Sequence, residues 1–262
     1  MNKRISNDPS RGARAFLGLA SVWALATAAI PALAQQPAQR SEAPALSYST
    51  SRANSGPPGS AKYEDTASQR SFVLDRSTGD ALMKFDDSPE VYALRATTAQ
   101  RGDAFLRSDA GELVLRVTEL GNVISYLGDK DGAPADIAGA AAPLDAPAMP
   151  SSLTERVREA ATRLARLAGH EVTIFGTGAF ADDEAWAADA LMVTVFGVER
   201  ANGLAGKAAA KLKAVRLVRA PAPMATFADG ELVLSVNPSE GYAGRPSSEA
   251  IASVLTAARR GT

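Results

Sequence analysis

Glu112-Leu113-Val114-Leu115-Arg116-Val117-Thr118-Glu119 alternates with a period of two. Leu113, Leu115 and Val117 fall on one face, and Glu112, Val114, Arg116 and Thr118 on the other. That is the pattern of a strand whose faces meet different surroundings. Asp109-Ala110-Gly111 precedes it, and Gly121-Asn122 follows, so the stretch reads as one arm of a series of hairpins. Outward from it lie similar runs at residues 71–75, 81–85, 91–97, 104–107 and 123–127. They are separated by turn-forming Ser77-Thr78-Gly79-Asp80, Asp86-Asp87-Ser88-Pro89 and Arg101-Gly102-Asp103. The expectation for residues 70–130 is an antiparallel β-meander of five or six short strands, a half-buried sheet or small open barrel.

Beyond it, residues 131–150 are rich in Ala, Pro and Gly and read as a linker. Residues 151–262 then change period. Ser152 and Glu155 have capping-box spacing. Leu153, Val157, Ala160, Leu164 and Leu167 form one helical stripe, which Gly169 ends. Residues 171–175 and 214–219 read as strands, and Asp229-Gly230 joins two further runs. Residues 186–198 are apolar nearly all round, so periodicity leaves helix and strand both open. A last helix starts near Ser247. The expected fold class is therefore α+β: an N-terminal β-meander followed by a small mixed α+β domain.

Upstream of the meander, residues 1–34 have the zones of a cleavable export signal. Lys3, Arg4, Arg11 and Arg14 precede a sixteen-residue uncharged run, 15–30, which Pro31 and Ala32-Leu33-Ala34 close. A membrane-spanning helix needs ~20 apolar residues, and no basic flank follows, so cleavage is expected after Ala34. No stable membrane insertion is expected of the product. Residues 35–69 contain Gly56-Pro57-Pro58-Gly59 and read as a disordered tether. Without the signal, Lys+Arg falls from 28 to 24 and Asp+Glu from 29 to 28, a net charge of about −4. This balance argues against nucleic acid as a partner. The 262 residues contain no cysteine, which removes disulfides, thiolate nucleophiles and Fe–S clusters.

Chemical motifs are sparse. His170 is the single histidine, so neither a Ser-His-Asp triad nor a multi-histidine metal site can form. Its place after Gly169 is that of a helix-end residue. Residues 201–208 miss the P-loop glycine at Ala201 and the magnesium-ligating hydroxyl at Ala208. Gly176-Thr177-Gly178 follows a strand, but no acidic residue stands where a dinucleotide site needs one. Asp129-Lys130-Asp131-Gly132 imitates part of a calcium loop and reads as a turn. No catalytic residue, metal site or cofactor is assigned.

One segment has ligand chemistry. Tyr242-Ala243-Gly244-Arg245-Pro246-Ser247-Ser248 leads into the final helix. A helix N-terminus offers free N–H groups to an anion. Arg245 adds a bidentate donor and Tyr242 an aromatic face. Tyr242, Gly244, Arg245, Ser247 and Ser248 are thus the candidate ligand-binding residues for a carboxylate or phosphate. Each also has a structural role available: Ser247 as cap, Pro246 as a rigid lead-in, Gly244 as turn.

Residues 71–76, 88–94, 101–103 and 241–248 together resemble an uncharacterised family of exported alphaproteobacterial proteins, a domain of unknown function. The resemblance covers roughly residue 71 to the C-terminus. It implies a bacterial origin and an envelope location, and brings no activity. The expectation is a non-enzymatic, periplasmic or secreted protein that binds an envelope partner or a small anionic ligand. The alternatives are a carboxylate-dependent hydrolase, and an assembly accessory that adds a strand to the meander edge.

Overall fold

The computed structural model describes residues 59–149 and 151–260. The expected signal and most of the expected tether lie outside these residues.

The first half is a closed barrel rather than an open meander. Eight antiparallel strands follow one another in chain order: β1 (Ser60–Asp65), β2 (Ser71–Asp75), β3 (Ala81–Phe85), β4 (Val91–Thr98), β5 (Ala104–Arg107), β6 (Leu113–Val117), β7 (Val123–Ser125) and β8 (Ala133–Ala140). β8 pairs with β1, from Ala61 opposite Ala140 to Asp65 opposite Ala135, with a bulge at Lys62/Tyr63. This pairing overturns the expected five- or six-stranded meander, and with it the expected fold class. The two missed strands lie in the stretches read as tether and linker. Closure satisfies the backbone groups that an open sheet leaves at its two edges. It also leaves no barrel edge for strand addition.

The barrel is filled by its own side chains. Tyr63, Phe72, Leu74, Met83, Phe85, Tyr92, Leu94, Leu106 and Leu115 are buried inside it. Tyr63 stacks on Phe72 with centroids 5.7 Å apart, and Phe72, Phe85 and Tyr92 continue edge to face at 6.2 and 6.0 Å. Alternation puts Leu82, Val91 and Ala93 on the outer wall, where they pack against Tyr242, Leu144 and Trp186.

The second half has three helices and a four-stranded sheet. α1 (Leu153–Ala168) starts at the reciprocal Ser152–Glu155 capping pair and ends at Gly169 in the left-handed region. α2 (Glu184–Ala205) is one helix throughout, which settles the apolar run 186–198. It is apolar all round because α1 and α3 (Ser248–Arg260) pack on it from different sides. The sheet has order β11-β12-β10-β9, with β9 (Thr173–Phe175), β10 (Ala214–Arg219), β11 (Met224–Ala228) and β12 (Glu231–Val236). β10 runs parallel to both neighbours, while β11 is antiparallel to β12. Gly197 is where α2 meets α3, and a Cβ there would come within 2.6 Å of Ile251.

Residues 141–149 connect the halves as a strap. The Ser60 hydroxyl donates to Ala142 O, Leu144 N–H to the buried Asp75 carboxylate at 2.7 Å, and Tyr242 O–H to Asp145 O at 2.8 Å. Burial alone would raise the Asp75 pKa. The hydrogen bonds from Ser77 and Leu144 outweigh it and hold the carboxyl below its usual range.

Candidate functional site

The structure brings Tyr242, Gly244, Arg245, Ser247 and Ser248 together at the junction of barrel and helices, where the barrel supplies their partners. Ser247 caps α3, its Oγ accepting from Ala250 N–H at 3.1 Å. The Asp109 carboxylate, from the turn between β5 and β6, accepts both Ser247 N–H (2.7 Å) and Ser247 O–H (2.6 Å). The Glu90 carboxylate, just before β4, accepts Ser248 N–H at 2.8 Å. The anion sought by this helix N-terminus is thus supplied by two carboxylates of the same chain. Arg245 is 4% exposed. It pairs with Asp189 of α2 and donates to Val91 O at 2.9 Å. Tyr242 packs edge-on against Trp186 at 5.1 Å, and burial pushes its hydroxyl pKa up to about 12. Gly244 is a point of close backbone approach: a Cβ would stand 1.9 Å from Asn237 O.

The space available to a ligand lies beside this junction. A cleft of about 540 Å³ opens between the outer barrel wall, the strap and helices α1 and α2, a size usual for small-molecule sites. Its apolar surface comes from Val91, Leu144, Met192 and Phe196, and its cations are Lys84, Arg156 and Arg163. Arg156 is paired with Glu159, and Arg163 with Glu199. The Lys84 side chain of β3 has no ion pair or hydrogen bond among the described residues. Asp145 and Asp189 line the same cleft; Arg245 already neutralises Asp189, while Asp145 has no ion pair among the described residues. The residue that sequence reasoning missed is Lys84. Its only local signal is a lysine in an otherwise apolar strand, on the face that also carries Leu82.

Some of the acids are spent in surface pairs such as Lys62–Asp86, Arg70–Asp87 and Arg216–Glu231. One convergence remains. Glu112 and Glu249 line a second cavity at the barrel mouth. Burial, then repulsion by Glu112, raises the Glu249 pKa, against the attraction of Arg200. A carboxyl whose folded-state pKa is raised favours folding below its unfolded pKa, and that favour is lost as pH rises through the folded value. Glu249→Gln is therefore expected to raise the melting temperature at pH 8 and to change nothing below pH 4. Thermal melts across that range check this, and a uniform loss of stability at every pH would contradict it.

The remaining motifs are structural. Both His170 ring nitrogens meet carbonyls, Glu171 O and Ala210 O, at 3.0 Å. Those contacts raise its pKa and tie the end of α1 to the 3-10 turn Ala208–Lys211. At Gly176, a Cβ would stand 2.0 Å from Leu217 O, so that glycine serves strand packing. Asp103 is held by Arg116 of β6 and by Glu119 N–H. Asp129 accepts from Asp131 N–H at 2.9 Å, also within a turn. Among the described residues no cluster of three or more His, Asp or Glu is arranged to hold a metal, and no helix is long and apolar enough to cross a membrane.

Fold and site together define a barrel-and-helix protein with a ligand-sized cleft at the junction of its two halves. Residues 25–255 match the family described as a domain of unknown function (DUF4908), and the chain belongs to that family. No curated protein and no solved structure matches it.

Proposed function

We propose that the chain is an exported, non-enzymatic binding protein of the bacterial envelope, and that its cleft takes a small amphipathic anion. The observation that carries this is Lys84, a cation with no ion pair among the described residues, beside the apolar surface of Leu144, Met192 and Phe196. A carboxylate or sulfonate on an apolar body matches both features: the head pairs with Lys84, and the tail covers the side chains. Trp186 reports on the site, because its ring packs on Tyr242, which lines the cleft. Decanoate is expected to shift the Trp186 emission with saturation. An emission spectrum unmoved by millimolar decanoate would remove the reading.

Export rests on the charge, length and small-residue pattern of residues 1–34. Expression of the full chain in a bacterial host is expected to yield a periplasmic or secreted form whose N-terminal sequence begins at Gln35. An intact Met1 on a cytoplasmic product would sink this part of the proposal. The carboxylate-hydrolase alternative has one observation in its favour, the Glu112–Glu249 convergence. Glycoside hydrolysis sets its two carboxyls roughly 5 Å or more apart, and what these two show is mutual repulsion in one cavity.

A further inference from the structure

The cavity at the barrel mouth is distinct from the cleft and has a volume of about 220 Å³. Phe85, Tyr92 and Tyr126 supply aromatic surface to it, and Glu112, Glu249, Arg70 and Arg200 its charge, Arg70 being already paired with Asp87. Three observations point to a positively charged occupant.

The first is an excess of carboxylate. Glu112 has no cationic partner among the described residues, and its neighbour is another carboxyl, Glu249. Arg200 stands 3.8 Å from Glu249, beyond hydrogen-bonding distance, and its Nη2 donates to Tyr92 Oη at 3.2 Å. The second is Ser108. It is 4% exposed, lines the same cavity, and its Oγ has no hydrogen-bond partner among the described residues. A buried hydroxyl without a partner costs about 1–3 kcal/mol, so it marks a place where a partner belongs. The third is the aromatic wall. Rings attract cations over their faces, and Arg70 already lies 3.7 Å over Phe85. No metal-type cluster is present among the described residues, which directs the inference to an organic cation.

We propose that this cavity binds a small primary organic ammonium ion. Its ammonium group sits between Glu112 and Glu249 and donates to Ser108 Oγ, and its apolar body lies against Phe85 and Tyr92. A bound ammonium favours the ionised form of both carboxyls, so any proton displaced from Glu249 goes to solvent. The groups acting on Glu249 are Glu112 and Asp109 from the β5–β6 turn and Arg200 from α2, with Tyr92 of β4 and Arg70 lining the same cavity; Glu90, just before β4, holds Ser248 N–H. Two of these acids, Glu90 and Asp109, are already committed to the α3 N-terminus. The exchange therefore falls on the remaining pair.

The test is calorimetric titration of the full chain with benzylammonium chloride, in two buffers of different ionisation enthalpy. Saturable binding with proton release is expected, tightening as the pH is raised from acid to neutral. Glu112→Gln is expected to weaken binding at least tenfold and to abolish proton release, and Ser108→Ala to weaken it about tenfold. Lys84→Glu, in the separate cleft, should leave it unchanged. Glu112→Gln removes a carboxylate repulsion, so its folding is not at risk. Absence of saturable heat at millimolar benzylammonium would overturn the proposal. So would equal affinity for benzyl alcohol, or an undiminished affinity in Glu112→Gln.

Discussion

Arg245→Met is expected to destabilise the protein by about 3–5 kcal/mol, the largest effect of any single side-chain replacement at the junction. The Arg245 side chain is 2% exposed and its partner Asp189 15%. Methionine preserves most of the apolar stem but removes the guanidinium. Asp189 is then left as an enclosed charge without its cation, and Val91 O loses its donor. The penalty comes from the group left behind rather than from the lost attraction. Each kcal/mol shifts the melting temperature by about 2–4 °C in a chain of this size, so a drop above 6 °C is expected. The double replacement Arg245→Met with Asp189→Leu should recover much of it, because no unpaired charge remains. Urea unfolding of the wild type, the single and the double variants measures this directly. A single variant within 1 kcal/mol of wild type would show that the pair is not what joins α2 to the barrel wall.

Gly244→Ala is the second large effect, expected at about 3 kcal/mol, the upper end for overpacking. Asn237 N–H donates to Gly244 O at 2.7 Å, which closes the loop of residues 237–244 on itself. The added methyl would lie 1.9 Å from Asn237 O, and backbone cannot rotate away as a flexible side chain can. Relief requires opening the loop, which displaces Arg245 and Ser247 from Asp189 and Asp109. Urea melts of this variant should therefore show a lowered midpoint. Wild-type stability would mean that the loop is free to rearrange.

The six inner strands are legible because each carries its own information. Residues 71–75, 81–85 and 104–107 alternate or run apolar between turn residues, and β2, β3 and β5 occupy those positions. The barrel is not legible, because its closure is non-local. β8 is Ala-Pro-Ala-Asp-Ile-Ala-Gly-Ala, a composition depleted in strand formers. It becomes a strand because β1 and β7 both offer it unpaired backbone. Pro134 is tolerated there, near the start of the strand. β1 hides in the same way behind Gly56-Pro57-Pro58-Gly59, its signal too short beside the disorder-promoting residues before it.

The junction was half legible for the same reason. Ser247 as cap and Arg245 as a donor follow from local chemistry, and the sequence marks the N-terminus of α3 as a place for an anion. That Asp109 and Glu90 fill it depends on contacts 138 and 158 residues apart, which no local pattern encodes. Lys84 illustrates the converse. Residues 81–85 show only a lysine in an apolar strand, and its role emerges once the strap and α1 are placed around it.

The claim that the cleft binds an amphipathic anion through Lys84 is tested most directly by calorimetric titration of decanoate into three proteins. They are the wild type, Lys84→Glu in the cleft, and Glu112→Gln at the barrel mouth. The account predicts saturable binding to the wild type, at least tenfold weaker binding to Lys84→Glu, and unchanged binding to Glu112→Gln. Equal affinity in the wild type and Lys84→Glu, or no saturable binding to the wild type at all, would contradict it.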